Sequence, residues 1–168
     1  MTDGLETAPR DGEGGDGEGG DDLISDQRTA DLDARLQAAR RRIDEAALGA
    51  GRRPEAVTLI VVTKFFPAAD VRRLAALGVT DVGENRHQEA LDKSTECADL
   101  PVRWHYIGGL QSNKASALAS YADMVHSVDR LKLVAPLARG AAERGRVLDV
   151  LVQVSLDEPG GGGARSGI

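Results

Sequence analysis

The residue whose position most suggests a chemical role is Lys64. It comes shortly after the apolar run 57–62 and precedes two phenylalanines. The chain has only four lysines against 17 arginines, so a lysine at this place is unusual for the sequence. An amine shielded from water is held more readily in its neutral form, and a neutral amine condenses with aldehydes to give a Schiff base. Lys64 is therefore a candidate for attaching an aldehyde cofactor. The alternative is that its side chain simply extends from a strand end into solvent.

Other polar side chains lie in or just after later apolar runs. Asn85 follows the second run, His105 lies in the third and His126 in the fourth. His105 is either a general base or ring-stacking partner, or a hydrogen-bonded core residue, and the residues alone leave both open. The Cys and His spacings do not fit a zinc site, and no nucleophile-elbow or phosphate-loop motif is present. We therefore predict no metal ligands.

The elements that would position these residues alternate regularly along the chain. An amphipathic helix over 25–50 comes first, with Leu32, Leu36 and Ile43 on its apolar face. The pattern then predicts strands at 57–62, 79–82, 102–107, 124–127 and 147–154, separated by helices at 67–77, 86–97, 111–121 and 130–144. Strict alternation of this kind predicts a parallel α/β sheet, whose functional residues collect at the carboxyl ends of the strands.

Two parallel architectures begin in this way, the doubly wound sheet and the (β/α)8 barrel. No glycine-rich dinucleotide motif follows the first strand, where Lys64-Phe65-Phe66-Pro67 stands instead, and this weakens the dinucleotide-binding interpretation. A complete barrel takes about 250 residues, so a chain of 168 residues has room for five of its eight units.

Charge is distributed unevenly along the chain, whose net charge is −6. Residues 1–22 carry eight acidic side chains and one arginine, whereas the remainder is near neutral at +1. We predict a disordered acidic tail over 1–24 and a folded part over 25–168. The near-neutral folded part predicts no nucleic-acid partner, and no apolar run reaches the ~20 residues of a membrane span. With one cysteine and no secretory signal, the sequence predicts a cytoplasmic protein.

Several motifs match a known family, in order, from about residue 30 to the end of the chain. The matching stretches are Val61-Val62-Thr63-Lys64 with Pro67, Gly83-Glu84-Asn85 with Gln88-Glu89, Trp104-His105-Tyr106-Ile107-Gly108 with Leu110-Gln111-Ser112-Asn113-Lys114, His126-Ser127-Val128-Asp129, and Ser166-Gly167-Ile168. In these stretches the chain resembles the pyridoxal-phosphate homeostasis protein family, of the YggS/PROSC type, which is related to the N-terminal barrel of alanine racemase.

The resemblance implies a partial TIM (β/α)8-type barrel with an N-terminal helix and about five of the eight βα units. It also implies that pyridoxal 5'-phosphate (PLP) is held as a Schiff base on Lys64, with Asn85 bordering the cofactor ring and His105 nearby. Members of this family are thought to bind, buffer and deliver PLP rather than to catalyse a reaction. We therefore expect no catalytic residue, and PLP-requiring apoenzymes as the recipients.

The chain departs from the family pattern at three points. Ser155 stands where the family usually has asparagine, and Arg165 stands where it often has a lysine. That second lysine is proposed to accept or pass on the cofactor, and an arginine cannot replace it because it forms no Schiff base. The last three barrel units, which in the family supply the phosphate-binding loop and an arginine facing the pyridine nitrogen, have no counterpart here. The resemblance thus implies a truncated member whose exposed strand edges favour self-association.

Two other functions stay open. A PLP-dependent enzyme acting on amino acids, of the racemase or lyase type, would need an opposing acid/base residue, and Tyr106 and Tyr121 lie on the barrel part itself. A truncated fragment that binds no cofactor would lack the visible absorption band of bound PLP. That band separates the fragment from both PLP-binding alternatives.

Overall fold

The computed structural model describes the backbone of residues 18–156 and the side chains of residues 27–156. Helices and strands alternate within that range, with short 3-10 turns at Pro54–Ala56, Ser112–Lys114 and Leu131–Leu133. The elements are α1 (Glu18–Gly49), β1 (Val61–Val62), α2 (Ala68–Ala76), β2 (Asp81–Glu84), α3 (His87–Glu96), β3 (Arg103–Tyr106), α4 (Ala115–Leu118), β4 (Met124–Val128), α5 (Val134–Glu143) and β5 (Asp149–Val152).

The five strands form one parallel sheet in the order β1-β2-β3-β4-β5. In a doubly wound sheet the order reverses part of the way along, whereas a barrel adds each new strand beside the last one. The order therefore confirms the predicted α/β class and matches the first five units of a barrel.

The hydrophobic core lies between one face of the sheet and the helices. Val82, Trp104 and Val125 alternate along their strands onto this face, where they join Leu74 and Leu118 from the helices in one cluster of buried residues. Side chains alternate along a strand, so the residues between them point to the opposite face, which in a barrel is the interior. That opposite face carries Asp81 of β2, His105 of β3 and His126 of β4.

The first helix packs by the predicted apolar face, on which Leu36 and Ala47 are buried. Two arginines fix it: Arg28 Nη2 lies 2.6 Å from Asp70 Oδ2 of α2, and Arg40 Nη2 donates to the Gly78 carbonyl at 3.0 Å. Neither α1 nor any other helix within residues 18–156 is apolar enough over a sufficient length to cross a membrane.

The helix begins at Glu18, seven residues before the predicted start, so residues 18–24 are helical although we had assigned them to the tail. The remainder of the predicted tail, residues 1–17, lies outside the described residues. So do Arg165 and the matching stretch 166–168.

The outer strands are shorter and more exposed than predicted. β1 contains only Val61 and Val62, which pair with Val82 and Gly83, and β2 itself begins only at Asp81. Residues before Ile60 therefore have no partner on β2. The continuous apolar run 57–62 predicts a strand buried on both faces, but Val62 is 43% exposed and all four residues of β5 are exposed. In the described part of the chain, β1 and β5 each have one neighbour.

Candidate functional site

Lys64 lies in a tight turn at the carboxyl end of β1. The turn runs from Thr63 to Phe66 and is closed by the Phe66 amide, which donates to the Thr63 carbonyl at 3.1 Å. Lys64 is half-buried, and its Nζ atom lies 5.7 Å from the centroid of the Phe65 ring. The structure thus places the predicted lysine at the edge of the sheet where parallel α/β proteins bind ligands.

The next residue, Phe65, has a positive φ of 68°. This left-handed region is common for glycine but unfavourable for a residue with a Cβ atom. The Phe65 ring is 65% exposed, and the Arg86 guanidinium lies 4.9 Å from the ring centroid on the side of β2. The turn is therefore strained at the residue that follows Lys64.

A buried charged network lies beneath this turn, on the helix side of the sheet. Lys93 Nζ donates to Glu84 Oε1 at 2.9 Å, to Glu89 Oε1 at 2.8 Å and to the Thr63 carbonyl at 2.8 Å. Thr63 Oγ1 also donates to Glu84 Oε1, at 2.7 Å. The hydrogen bond from Lys93 is the main cause that holds the pKa of Glu89 below its usual value. Glu89 is therefore ionised at neutral pH.

Asn85 follows β2 at the same end of the sheet as Lys64 and is half-buried. It packs closely against Gly108, which follows β3: a Cβ atom at Gly108 would lie 2.0 Å from the Asn85 carbonyl oxygen and 2.5 Å from Asn85 Oδ1. Only glycine permits this approach. The end of β3 therefore supports the loop that carries Asn85.

His105 lies one side-chain layer deeper than Lys64. The register pairs Val62 with Gly83 and Gly83 with His105, so His105 is level with Val62, two residues before Lys64. It is buried, with Nε2 2.8 Å from Asp81 Oδ1 and Nδ1 3.0 Å from His126 Nε2. Its ring nitrogens are thus occupied by protein partners, as in the hydrogen-bonded core alternative.

Burial and charge set the protonation of this inner group. Burial acts to raise the pKa of Asp81, but hydrogen bonds from Thr80 and His105 outweigh it, so that the net pKa is lowered. Burial, and then the charge of His105, lower the pKa of His126. Asp81 is therefore an anion at neutral pH, whereas His126 is held neutral.

The structure brings the turn of Lys64 and the loop of Asn85 together at the ends of adjacent strands, and it places His105 below them with Asp81 and His126. The sequence alone assigns no role to the supporting residues Glu84, Glu89 and Lys93. Two signals were present: Glu84 and Glu89 stand in the stretches that match the family, and Glu89 and Lys93 have the i,i+4 spacing that pairs charges on a helix. Nothing local to the sequence shows that this pair reaches back to Thr63 and Phe65.

Comparison with known proteins gives consistent matches, although no family model matches the chain. The chain is 49% identical over 115 residues to the pyridoxal phosphate homeostasis protein of Pseudomonas aeruginosa, covering 68% of this chain and 50% of that protein. It is 43% identical over 157 residues to the protein of the same name from Mycobacterium tuberculosis, covering 84% and 60%.

Among solved structures, PipY of Synechococcus elongatus with PLP bound matches at a TM-score of 0.59 and 42% identity. That match covers 69% of this chain and 55% of PipY. The chain therefore spans about half to three fifths of the length of the relatives it matches.

Proposed function

We propose that the chain, which is similar to pyridoxal phosphate homeostasis proteins over 50–60% of their length, binds PLP as a Schiff base on Lys64 and buffers or delivers the cofactor without turnover. The observation that carries this proposal is the place of Lys64, half-buried in a closed turn at the carboxyl end of β1. The relatives from Pseudomonas aeruginosa and Mycobacterium tuberculosis are named pyridoxal phosphate homeostasis proteins, and the chain aligns with 50% and 60% of their lengths. PipY has been solved with PLP bound.

The residues near this turn fit the carbonyl end of PLP better than its phosphate. Lys64 supplies an amine, and Asn85, on the adjacent strand end, supplies an amide that can border the ring. A phosphate needs several N–H donors, for which a helix N-terminus is the usual source. The helix that follows β3 is the four-residue α4, preceded by a 3-10 turn, and it provides little of such a site. When bound, the cofactor would supply its aldehyde, and the chain would hold and orient it.

Four finer assignments belong to the same proposal. Asn85 borders the cofactor ring, and His105 acts from the layer below, through a ring held by Asp81 and His126. PLP-requiring apoenzymes receive the cofactor. The compartment is the cytoplasm, with Cys97 buried as a free thiol.

The proposal predicts that Lys64 is the lysine to which PLP becomes attached. After incubation with PLP and reduction with borohydride, peptide mass mapping should find the pyridoxyl group on the peptide that contains Lys64. Lys64→Ala should remove the visible absorption band. Lys64→Arg should remove it too, because a guanidinium does not condense with the aldehyde.

The matched control is Lys132→Ala, which removes an exposed lysine and should leave the band unchanged. Preferential labelling of Lys114 or Lys132 would refute the assignment to Lys64. If no band forms in the unmodified chain, the alternative of a fragment that binds no cofactor is correct.

A further inference from the structure

The turn that carries Lys64 is held from both sides by one helix. On the side before Lys64, the Thr63 carbonyl accepts a hydrogen bond from Lys93 Nζ at 2.8 Å. On the side after it, the Phe65 amide donates to Glu89 Oε1 at 2.7 Å. Lys93 and Glu89 both belong to α3, one helical turn apart, and their charged groups are 2.8 Å from each other. Both contacts therefore move as one rigid unit.

The backbone of Phe65 shows why the turn needs such support. Its φ of 68° is the conformation that glycine adopts freely and that costs other residues free energy. Phe65 is 65% exposed, so little of its side chain is packed against the protein. Two hydrogen bonds hold its backbone: the Phe65 amide donates to Glu89 Oε1, and the Phe66 amide donates to the Thr63 carbonyl.

The buried charges of the network also support the turn. Lys93 and Glu84 are both buried, with side chains 8% and 1% exposed. A buried ion pair contributes little net stability, because removing two charges from water costs as much as their attraction returns. The pair does hold the Lys93 amine on the Thr63 carbonyl in a fixed direction, since Thr63 Oγ1 and Lys93 Nζ share one Glu84 oxygen.

We propose that Glu89 and Lys93, with Glu84 as their buried counter-charge, are positioning residues that hold the Lys64 turn in its strained form and so fix the direction of the Lys64 amine. They act through the backbone on either side of Lys64. The consequence for PLP retention rests on the proposed function, whereas the effect on the turn does not depend on it.

The first arm of the test measures the turn in the protein without PLP. Hydrogen exchange of the Phe66 amide reports turn formation, because that amide donates to Thr63 and not to Glu89. Glu89→Ala should raise its exchange rate about tenfold, the scale set by the cost of a left-handed non-glycine residue. Glu89→Gln keeps an acceptor oxygen and should stay within about twofold of the unmodified chain.

A rescue experiment separates positioning from general loosening. Phe65→Gly in the Glu89→Ala chain should restore the protection of the Phe66 amide, because glycine adopts a positive φ without strain. Phe65→Ala in the same chain removes the ring but keeps the strain, so it should not restore protection. The Asp123 amide, which donates to the Trp104 carbonyl at 2.9 Å, should exchange equally in all variants and serves as the reference for global opening.

The second arm measures the cofactor in the PLP-loaded chain. Glu89→Ala should release PLP about tenfold faster and weaken the circular dichroism of the visible band, since the same loss of turn population lets the attached ring change direction. Glu96→Ala is the matched control, because Glu96 is an exposed acid on the same helix outside the network. It should change neither quantity.

The outcomes are distinguishable. Unchanged Phe66 exchange in Glu89→Ala overturns the proposal, and so does equal rescue by Phe65→Ala and Phe65→Gly. Altered exchange with unaltered PLP release overturns the link between the turn and the cofactor. If the unmodified chain binds no PLP but exchange follows the expected pattern, the proposed function fails and the positioning of the Lys64 turn stands.

Discussion

Two of the histidines have pKa values held below the usual value, and burial is the main cause in both. Burial and then the charge of Lys114 act on His87, and burial and then His105 act on His126. The native state therefore binds fewer protons than the unfolded chain does near pH 6.5, the usual value of a histidine pKa. The free energy of unfolding must then fall as the pH is lowered through that value.

We predict that the thermal unfolding temperature decreases as the pH is lowered from about 7.5 to about 5.5. This range lies above the pH at which the acidic residues become protonated. The pKa values of Asp70, Asp81 and Glu89 are lowered, so the stability that these carboxylates contribute is lost only below about pH 4. The double variant His87→Gln/His126→Gln should show a smaller slope in differential scanning calorimetry. A slope of opposite sign, or one that the double variant leaves unchanged, contradicts the assignment.

The single residues of the site differ in how far a sequence can reveal them. Lys64 could be found because an apolar run ends there and lysines are rare in the chain. Asn85 and His105 could be found from their places beside apolar runs, and their roles toward the cofactor are implied by the family resemblance. Only the structure shows that they lie in different layers. The network of Glu84, Glu89 and Lys93 depends on the distance between a helix and a turn in the folded chain, which no local pattern encodes.

At the scale of elements, helices α4 and α5 approach each other closely at Gly140, where the absence of a side chain permits the contact. A Cβ atom at Gly140 would lie 2.3 Å from the Ser116 carbonyl oxygen, which is part of the backbone and cannot move away alone. We predict that Gly140→Ala lowers the free energy of unfolding by about 1–3 kcal/mol through overpacking.

The control for this prediction is Gly49→Ala, another glycine-to-alanine change in a helix, where nothing lies within 4 Å of the added Cβ atom. That variant should be neutral or should gain up to about 1 kcal/mol from the better helix propensity of alanine. Urea unfolding of both variants measures the difference. Equal effects of the two substitutions would show that the α4–α5 contact relaxes without cost.

The order of the elements could be predicted from the alternation of apolar runs and helical segments, but their ends could not. The sequence predicts the second strand at 79–82, whereas β2 lies at Asp81–Glu84. Three of its four residues are polar or glycine, and they fit the sheet because Asp81 binds His105, Glu84 binds Lys93 and Gly83 admits Ile60, Val62 and Ile107. Partners in neighbouring elements thus override the local preference for apolar strand residues.

At the scale of the whole molecule, the two edge strands of the sheet, β1 and β5, expose apolar side chains to water. Val150, Leu151 and Val152 of β5 are between 46% and 58% exposed, and Val62 of β1 is 43% exposed. An exposed apolar strand edge offers unpaired backbone groups to another chain.

We predict that the 168-residue chain self-associates through β5. Multi-angle light scattering should give a mass above the 17.7 kDa of one chain, increasing with concentration. Val152→Lys should lower that mass, because a lysine on an edge strand opposes pairing with a second strand. Val147→Lys, at a valine that is 86% exposed but lies before the strand, adds the same charge without blocking the edge and should leave the mass unchanged. A monomer at all concentrations would refute self-association. An equal effect of both lysines would show that general apolar exposure, and not the β5 edge, governs it.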